Sequence, residues 1–386
     1  MMGLYVIVDP SSKVNLYDDA LYDAMSEVRH DCDIKLLYSG RGLLKLVPTK
    51  YESSRSTLKR LLKVLECILN YMYVGLLVLT RKPQIVHFQW LPFLEVCNIE
   101  TYIFKIMKHF SNKTKFILTI HNLYPHNLNA NDKVAYNNRF KRISLLFDAY
   151  IVHTNVTKQD VVREFDIDNN KIFVCHHGVF APNTTIDKVV PKEPFLTILQ
   201  FGSHSFYKGT DILIKAVSSL PKNYRTKIKV RIVGGINSQF YEDLREIDKN
   251  NTVLWKPYFL SDNDLYKEIK NADIIVLPYR AISQSGVLLL SLFFEKLIIT
   301  SNLPSFVETL SSENEEINKS IFFESENENQ LEQLIRRYVD GQVNTNLIYE
   351  HLMNLKNSYS WKSAAIKTFE IYHIIIGVNQ YNHNEI

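Results

Sequence analysis

The residues best placed to do chemistry lie in the stretch 273–307, where a short polar turn separates two apolar runs. Asp273 to Leu277 predicts a buried strand, Leu297 to Ser301 predicts a second, and an apolar helix opening with Ser285 and Gly286 lies between them. The first N–H groups of a helix have no intrahelical acceptor, and they lie at the positive end of the helix dipole. Such a start suits a phosphate or diphosphate. The sequence therefore predicts a site for a phosphorylated ligand at this turn.

Other familiar motifs are missing from the sequence. No Gly-Lys-Ser/Thr phosphate loop is present, and Asp9 to Ser12 stands where a dinucleotide-binding glycine loop would follow the first strand. No Gly-x-Ser-x-Gly elbow supports acyl transfer. His176 and His177 are adjacent on a predicted strand and would point to opposite faces, so we expect no metal site and no metal cofactor.

The elements that must position these residues alternate between strand and helix, which predicts parallel sheets covered on both faces. In the first half we predict strands at 4–8, 34–38, 85–89, 116–119, 149–153 and 172–176, with helices at 16–28, 57–79, 99–109, 139–147 and 157–165. In the second half we predict strands at 196–201, 228–233, 253–256, 274–278, 297–301 and 321–323, with helices at 210–219, 239–250, 261–271, 287–294 and 328–340. A last helix is predicted at 360–376.

The segment 181–194 is rich in proline and small polar residues and predicts a linker between two domains. We therefore divide the chain into a first domain at 1–180, a second at 195–358 and a closing helical segment at 359–386. The predicted fold class is α/β, with two Rossmann-like doubly wound domains that face a ligand-binding cleft.

Composition narrows the class of protein. The chain has 386 residues, of which 46% are hydrophobic, and a formal net charge of only +4, so nucleic acid is not an expected partner. No secretory signal peptide is evident at the start, and we expect a cytoplasmic protein. The four cysteines show no paired spacing and predict neither disulfides nor a metal site: Cys32, Cys67, Cys97 and Cys175.

Basic residues concentrate between about 50 and 142, beside the apolar segment 61–80. Lys63, Glu66 and Asn70 interrupt that segment, which makes it a poor bilayer span. Two interpretations stay open: a buried core helix, or a helix that lies on an anionic membrane surface. The second would place the protein peripherally on the inner face of the plasma membrane.

Several motifs carry a resemblance to a known family. KIFVCHHGV (171–179), ILQFGSHSFYKGTDILIKA (198–216), ADIIVLPYR (272–280) and SQSGV (283–287) resemble, in order and spacing, the retaining glycosyltransferases of family 4, also called glycosyl transferases group 1. PQIVHFQW (83–90) and LTIHNLYPH (118–126) are similar to bacterial members that build surface polysaccharides such as capsule or exopolysaccharide. YSWKSAAIKTFEIY (359–372) resembles the helix that in this family returns to the first domain.

The resemblance implies the two-domain GT-B fold, with an acceptor-binding first domain and a donor-binding second domain. It implies a hexosyltransferase that takes a nucleotide-diphosphate sugar as donor and a lipid-linked saccharide as acceptor, in polysaccharide biosynthesis. Two alternatives stay open: a catalytically impaired GT-B binding or partner subunit, or another enzyme on the same architecture such as an epimerase or phosphorylase.

The family's functional residues can be placed one by one. Lys208 matches the lysine on the donor diphosphate, where its charge would stabilise the leaving group. His121 matches the histidine beside the donor sugar, and both residues are predicted to be catalytic. The positions Ser283 and Ser291 correspond to two family glutamates that contact donor sugar and ribose. Asn15 and His126 are predicted to lie near the acceptor. The remaining predicted donor contacts are Ser203, His204, Gln284, Ser285, Gly286, Val287 and Leu288.

Overall fold

The computed structural model describes residues 3–10, 16–46, 57–111, 113–125, 130–179, 194–249, 251–282 and 285–377. The chain divides into two compact units. The first contains Met1–Gly178 together with Trp361–Ile386, and the second contains Val179–Ser360. The predicted linker at 181–194 lies, except for its last residue, outside the described residues, as do Asn15, His126, Ser283 and Gln284.

The first unit is built on a seven-stranded parallel sheet with the order β3-β2-β1-β4-β5-β6-β7. Its strands are β1 (Leu4–Asp9), β2 (Asp33–Ser39), β3 (Gly42–Leu43), β4 (Ile85–Phe88), β5 (Lys115–Thr119), β6 (Ala149–Val152) and β7 (Ile172–Val174). All four residues of β4 and of β6 are buried. Continuous burial of this kind means that helices cover both faces of the sheet.

The helices of this unit are α1 (Leu16–Val28), α2 (Thr57–Arg81), α3 (Ile99–Phe110), α4 (Ala130–Ser144), α5 (Asn155–Phe165) and α15 (Trp361–Ile376). The last helix, α15, packs against α1. Along the rest of the unit, α2 packs against α3, α3 against α4, and α4 against α5. A cluster of aromatic rings fills the core beneath α3, including Phe88, Phe104 and Phe116. The returning helix α15 contributes Tyr372, whose ring lies 5.2 Å from that of Tyr5 on β1.

The helix α2 has two different faces. Glu66, Cys67, Asn70 and Tyr71 are among its buried residues, yet nine of its large apolar side chains are exposed. Glu66 accepts hydrogen bonds from Ser39 (2.7 Å) and from the Leu46 amide (2.7 Å), which ties the helix to the edge of the sheet. Among the described helices, α2 alone is long and apolar enough to span a membrane by length and composition, and 39% of its most apolar window is buried. The buried face of α2 therefore agrees with the core-helix interpretation, and its other face is apolar and exposed.

The second unit is built on a six-stranded parallel sheet with the order β10-β9-β8-β11-β12-β13. Its strands are β8 (Leu196–Phe201), β9 (Ile228–Val233), β10 (Val253–Lys256), β11 (Ile274–Leu277), β12 (Leu297–Ser301) and β13 (Phe322–Phe323). Its helices are α6 (Thr210–Ser219), α7 (Lys222–Arg225), α8 (Ser238–Ile247), α9 (Asp262–Lys270), α10 (Gly286–Phe293), α11 (Pro304–Leu310), α12 (Glu315–Ile321), α13 (Glu328–Val339) and α14 (Thr345–Ser358). The predicted α/β class with two doubly wound domains is confirmed.

Candidate active site

The turn between β11 and α10 carries the predicted phosphate site. Ser285 is the N-cap of α10, and its hydroxyl accepts a hydrogen bond from the Leu288 amide at 3.2 Å. The Leu289 amide donates to the Ser285 carbonyl at 3.1 Å. A Cβ added to Gly286 would meet no atom of the described residues within 4 Å, so the start of the helix is open on the side of that part of the chain. The Gly286 and Val287 amides precede the first intrahelical bond and suit an anion, whereas the Leu288 amide is already used by Ser285.

Two glycines allow close contacts around this site, one with α10 and one with the end of β11. At Gly202, after β8, an added Cβ would lie 3.2 Å from the Val287 side chain, and φ is +112°. At Gly209, φ is +63° and an added Cβ would lie 1.7 Å from the Pro278 carbonyl oxygen. Only glycine permits this left-handed backbone and this close approach. The 206–209 turn is therefore held against the end of β11, and Lys208 comes with it.

Lys208 ends a short 3-10 turn at Phe206–Lys208 and is buried. Its Nζ donates a hydrogen bond to the Tyr279 hydroxyl at 2.7 Å and lies 4.0 Å from the centre of the Tyr279 ring. Burial lowers the pKa of Lys208 to about 8. The Tyr279 hydroxyl also forms a hydrogen bond with the Ser285 side chain. Burial raises the pKa of Tyr279, and this hydrogen bond partly offsets the rise. Tyr279 thus links the lysine directly to the N-cap of α10, a role that sequence reasoning missed.

The histidine that precedes the Lys208 turn, His204, is not a cation. His204 is buried, with Nδ1 3.1 Å from the Thr210 hydroxyl and Nε2 3.1 Å from the Val233 carbonyl oxygen. Burial lowers its pKa to about 4, so the ring is neutral at neutral pH. Both ring nitrogens are occupied by partners within the second unit, so His204 supplies no positive charge at this turn. Ser203, in contrast, is exposed beside it.

Arg280 is a cation that sequence reasoning did not single out. Its guanidinium makes two hydrogen bonds of 2.8 Å to the Asp211 carboxylate, and it donates to the Phe206 carbonyl at 2.8 Å. The Arg280 amide donates to the Tyr207 carbonyl at 2.8 Å. A bidentate pair of this kind is geometrically specific. Arg280 therefore holds the Lys208 turn in place. Sequence spacing gave no signal for the pairing, because 69 residues separate its members.

Ser291 does not behave as predicted. The residue is fully buried, and its hydroxyl donates to the Val287 carbonyl at 2.7 Å within α10. A serine that bonds one turn back along its own helix has satisfied its donor locally. The predicted contact of Ser291 with the donor is therefore wrong for this structure. The helix is buried on that side because its residues are almost all apolar.

In the first unit, His121 follows β5 and lies beside a chain of polar groups. His121 Nε2 is 3.3 Å from Gln89, and Nδ1 is 3.1 Å from His153 Nε2. The Tyr17 ring packs edge-on against the His121 ring at 4.7 Å. Burial and the neighbouring histidines hold the pKa of His121 well below its usual value, so the ring is neutral. Among the described residues, no group of histidine, cysteine and carboxylate side chains could hold a metal ion.

His121 and Gln89 border a pocket that is formed entirely by the first unit. The pocket contains about 410 Å³ of empty space, including its open mouth. Its walls combine apolar side chains such as Leu94 and Phe140 with the polar groups of Thr119 and Glu95. An apolar pocket with a few converging polar groups is typical of a small-molecule site.

Sequence reasoning also missed a pair of buried carboxyl groups beside this site. Asp9 ends β1, Asp18 lies in the first turn of α1, and both side chains are buried. Burial and the adjacent Asp9 raise the pKa of Asp18 to about 9. Ionisation of one carboxyl group opposes ionisation of its neighbour, so the pair retains a proton at neutral pH.

Each half of the chain matches a known protein family. Residues 183–357 match the model described as "Glycosyl transferases group 1", and residues 36–180 match "Glycosyltransferase Family 4". Comparison with curated proteins finds no significant match. The two family matches meet near the boundary between the two compact units.

Solved structures share the fold over almost the whole chain. A glycosyltransferase from Rickettsia africae ESF-5 is 20% identical, with a TM-score of 0.68, covering 98% of this chain and 99% of that one. HepE from Anabaena, solved in complex with UDP-glucose, is 13% identical, with a TM-score of 0.64 and coverage of 98% and 100%. The lipopolysaccharide outer core galactosyltransferase WaaB is 13% identical, with a TM-score of 0.63 and coverage of 96% and 99%. At these identities the likeness establishes the fold.

Proposed function

Because the chain is a glycosyltransferase with the GT-B fold, we propose that it is a retaining enzyme that moves a sugar from a nucleotide-diphosphate sugar to a saccharide acceptor. The acceptor is a lipid-linked saccharide and the pathway is polysaccharide biosynthesis. The proposal rests above all on one observation: the Lys208 ammonium, Tyr279 and the open start of α10 meet at one end of the second sheet. The UDP-glucose complex of HepE supports a nucleotide sugar as donor.

The diphosphate of the donor would lie between Lys208 and the α10 N-terminus. The amides of Gly286 and Val287 would bind its oxygens, and the Lys208 ammonium would approach from the neighbouring turn. Negative charge grows on the diphosphate as the bond to the sugar breaks. A fixed cation and fixed amides stabilise that charge without reorganising, and they do so most strongly where water is excluded. No metal is part of this proposal.

His121 would border the donor sugar and the acceptor from the first unit. Its neutral ring can exchange a hydrogen bond with a sugar hydroxyl without repelling a positively charged transition state. The pocket beside Gln89 would hold the acceptor saccharide. Catalysis would then depend on positioning and on leaving-group stabilisation, with no covalent sugar–enzyme intermediate.

The exposed side of α2 is the proposed membrane contact. Seven apolar side chains, which are 36 to 67% exposed, repeat every three or four residues over about 30 Å of helix: Leu58, Leu61, Leu65, Leu69, Met72, Leu76 and Leu79. We call these seven the α2 stripe. Basic residues lie at both ends of the helix, with Arg60 and Lys63 at one end and Arg81 and Lys82 at the other. The only carboxylate of the helix, Glu66, is buried.

This charge pattern favours an anionic membrane over a second copy of the chain. Two α2 helices packed together would bring like charges against each other at both ends, which is unfavourable. Anionic lipid headgroups instead attract each exposed basic residue while the apolar side chains enter the interface. The protein would then lie on the inner face of the plasma membrane, where a lipid-linked acceptor is anchored.

Vesicle sedimentation tests the membrane contact. Leu76→Glu should weaken binding to anionic vesicles about tenfold, because burial of a leucine side chain contributes about 1.5 kcal/mol or more. Leu254→Glu, at an exposed leucine on β10 of the second unit, is the matched control and should bind normally. Equal binding of both variants would contradict the proposal, and so would a dimer in light scattering that Leu76→Glu dissociates.

A transfer assay tests the function itself. The protein is incubated with a panel of nucleotide sugars and a bacterial membrane extract, and both nucleoside diphosphate and labelled lipid-linked product are measured. We expect one donor to be turned over, with the anomeric configuration of the donor kept in the product. An inverted product would refute the retaining assignment. Nucleotide binding without turnover of any donor would favour a catalytically impaired binding subunit, which serine at position 283 in place of a family glutamate would explain.

A further inference from the structure

A continuous chain of polar contacts crosses the first unit from α15 to β7. Tyr372 Oη lies 2.8 Å from His87 Nδ1. Gln89 lies between the next two rings, with its side-chain nitrogen 3.3 Å from His87 Nε2 and its side-chain oxygen 3.3 Å from His121 Nε2. His121 Nδ1 is 3.1 Å from His153 Nε2, and His153 Nδ1 is 2.9 Å from the Cys175 carbonyl oxygen. We call this the histidine chain. Every ring nitrogen in it has a partner, so the position of one proton constrains all the others.

The Cys175 carbonyl fixes one end of the chain. A carbonyl oxygen only accepts hydrogen bonds, so His153 carries its proton on Nδ1. Burial lowers the pKa of His153 to about 3, so the ring is neutral and its Nε2 has a lone pair. His121 must then donate from Nδ1 to His153. Because the His121 ring is also neutral, its Nε2 carries a lone pair as well.

The rest of the chain follows from the same rule. The structure places the Gln89 oxygen beside His121 Nε2, where it would face the lone pair of that nitrogen. The amide is therefore turned over, with an N–H toward His121 Nε2 and the oxygen toward His87 Nε2; the two orientations have the same shape, and the hydrogen-bond network decides between them. His87 is then protonated on Nε2, which also lies 2.7 Å from the Thr119 hydroxyl. Its Nδ1 accepts from the Tyr372 hydroxyl.

The opposite arrangement requires a buried charge. If His121 carried its proton on Nε2, its Nδ1 would accept from His153 Nε2, and His153 would then hold two protons and be a cation. The aromatic rings packed against the His153 ring are those of Tyr17, His121 and His177, with ring centres 5.2 to 5.6 Å away, and the neighbouring side chains whose charge acts on the His153 pKa are histidines. None of the three is an anion at neutral pH, since burial raises the pKa of Tyr17. An unpaired buried charge is strongly unfavourable.

We infer that His153, anchored by the Cys175 carbonyl, is a positioning residue that keeps His121 in the Nδ1–H form, so that His121 Nε2 accepts a hydrogen bond. A ligand group that displaces the Gln89 amide from His121 Nε2 must then donate a hydrogen bond, as a sugar hydroxyl does and an ionised phosphate or carboxylate oxygen cannot. This inference deepens the proposed function, on which its consequence for the substrate rests. It also gives α15 a part in the site, because Tyr372 fixes the far end of the chain.

Nitrogen-15 NMR of ring-labelled histidines reads the tautomers directly in the ligand-free protein. We expect His121 and His153 to be neutral and protonated on Nδ1, and His87 to be neutral and protonated on Nε2, between about pH 6 and 8, a range above the pKa values of their buried rings. Signals are assigned by single substitution of each histidine. A wild-type His121 protonated on Nε2 would overturn the inference whether or not the variants fold.

His153→Phe keeps the ring volume and removes both nitrogens. Without its acceptor, His121 should shift toward the Nε2–H form, and kcat/KM should fall up to about tenfold, as for the loss of one neutral hydrogen bond. His30→Phe, at an exposed histidine after α1, is the control and should change neither. An unchanged His121 spectrum in folded His153→Phe would contradict the inference. Since the spectra need no turnover, a wrong tautomer in an active enzyme rejects only the inference, and an inactive protein with the expected tautomers rejects only the function.

Discussion

Lys208→Met is expected to make the protein more stable and nearly inactive at the same time. The lysine pKa is lowered from 10.5 to about 8 by burial, and this shift corresponds to about 3 kcal/mol that the fold loses by holding the charged form. Methionine keeps the length and the apolar contacts with the Tyr279 ring but gives up the hydrogen bond of 2.7 Å, worth about 1 kcal/mol. The net expectation at pH 7 is a gain of about 2 kcal/mol in the free energy of unfolding.

The pH dependence of the two proteins provides a second readout. The folded pKa of Lys208 lies below its unfolded pKa, so between about pH 8 and 10.5 the unfolded chain binds more protons than the folded one. The stability of the wild type therefore rises through this interval as its lysine is neutralised. The advantage of Lys208→Met should shrink over the same interval. Urea unfolding at several pH values measures both effects.

Lys208→Met should lower the activity of the enzyme although it raises its stability. Removing one preorganised group that stabilises developing negative charge lowers kcat by about 10²- to 10³-fold. Lys222→Met, at an exposed lysine of α7 in the same unit, is the control and should leave kcat and stability nearly unchanged. The reasoning would be refuted by a Lys208→Met protein that is less stable than the wild type at pH 7, or by one that keeps more than a tenth of its activity.

Three further outcomes are expected. Donor affinity should fall as the pH rises through about 8, because Lys208 loses the charge that attracts the diphosphate, and calorimetric titration with a nucleoside diphosphate measures this; constant affinity from pH 7 to 9.5 would count against the site. Ser285→Ala should lower the free energy of unfolding by about 1 kcal/mol through loss of the N-cap bond to Leu288, as measured by urea unfolding, and an unchanged midpoint would contradict it. Arg280→Met should lower it by about 2 kcal/mol because the buried Asp211 carboxylate loses both guanidinium hydrogen bonds and keeps only the more exposed Lys215, 3.5 Å away, as a charged partner; the double variant with Asp211→Asn should recover much of the loss, and no recovery would mean that the pair does not carry the effect.

The order of the elements could be predicted from the sequence because their patterns are local. The strands β8, β9, β10 and β12 have the bounds predicted for them, since short apolar runs bounded by polar turns are distinctive. The predicted bounds of a helix were wrong where the apolar residues did not coincide with the helix, and helices with a weak apolar pattern were missed. The helix α4 begins at Ala130 rather than at Arg139, because its first turns are polar and the apolar residues at 143–147 drew the prediction forward. The helices α7, α11, α12 and α14 and the short strand β3 were not predicted.

The candidate site could be predicted only in part. Lys208, Ser285 and Gly286 were found because their chemistry is evident from a few neighbouring residues. Tyr279 and Arg280 were missed because their roles arise from contacts with residues about 70 positions away. His204 and Ser291 were assigned to the ligand by position alone. Burial, which sequence spacing does not encode, makes the His204 ring neutral and keeps Ser291 away from solvent.

A structure of the protein with its nucleotide-sugar donor tests the central claim most directly. We expect the diphosphate to lie within hydrogen-bond distance of the Lys208 ammonium and of the Gly286 and Val287 amides, with Tyr279 retained beside the lysine. A diphosphate bound elsewhere, with Lys208 still bonded only to Tyr279, would contradict it.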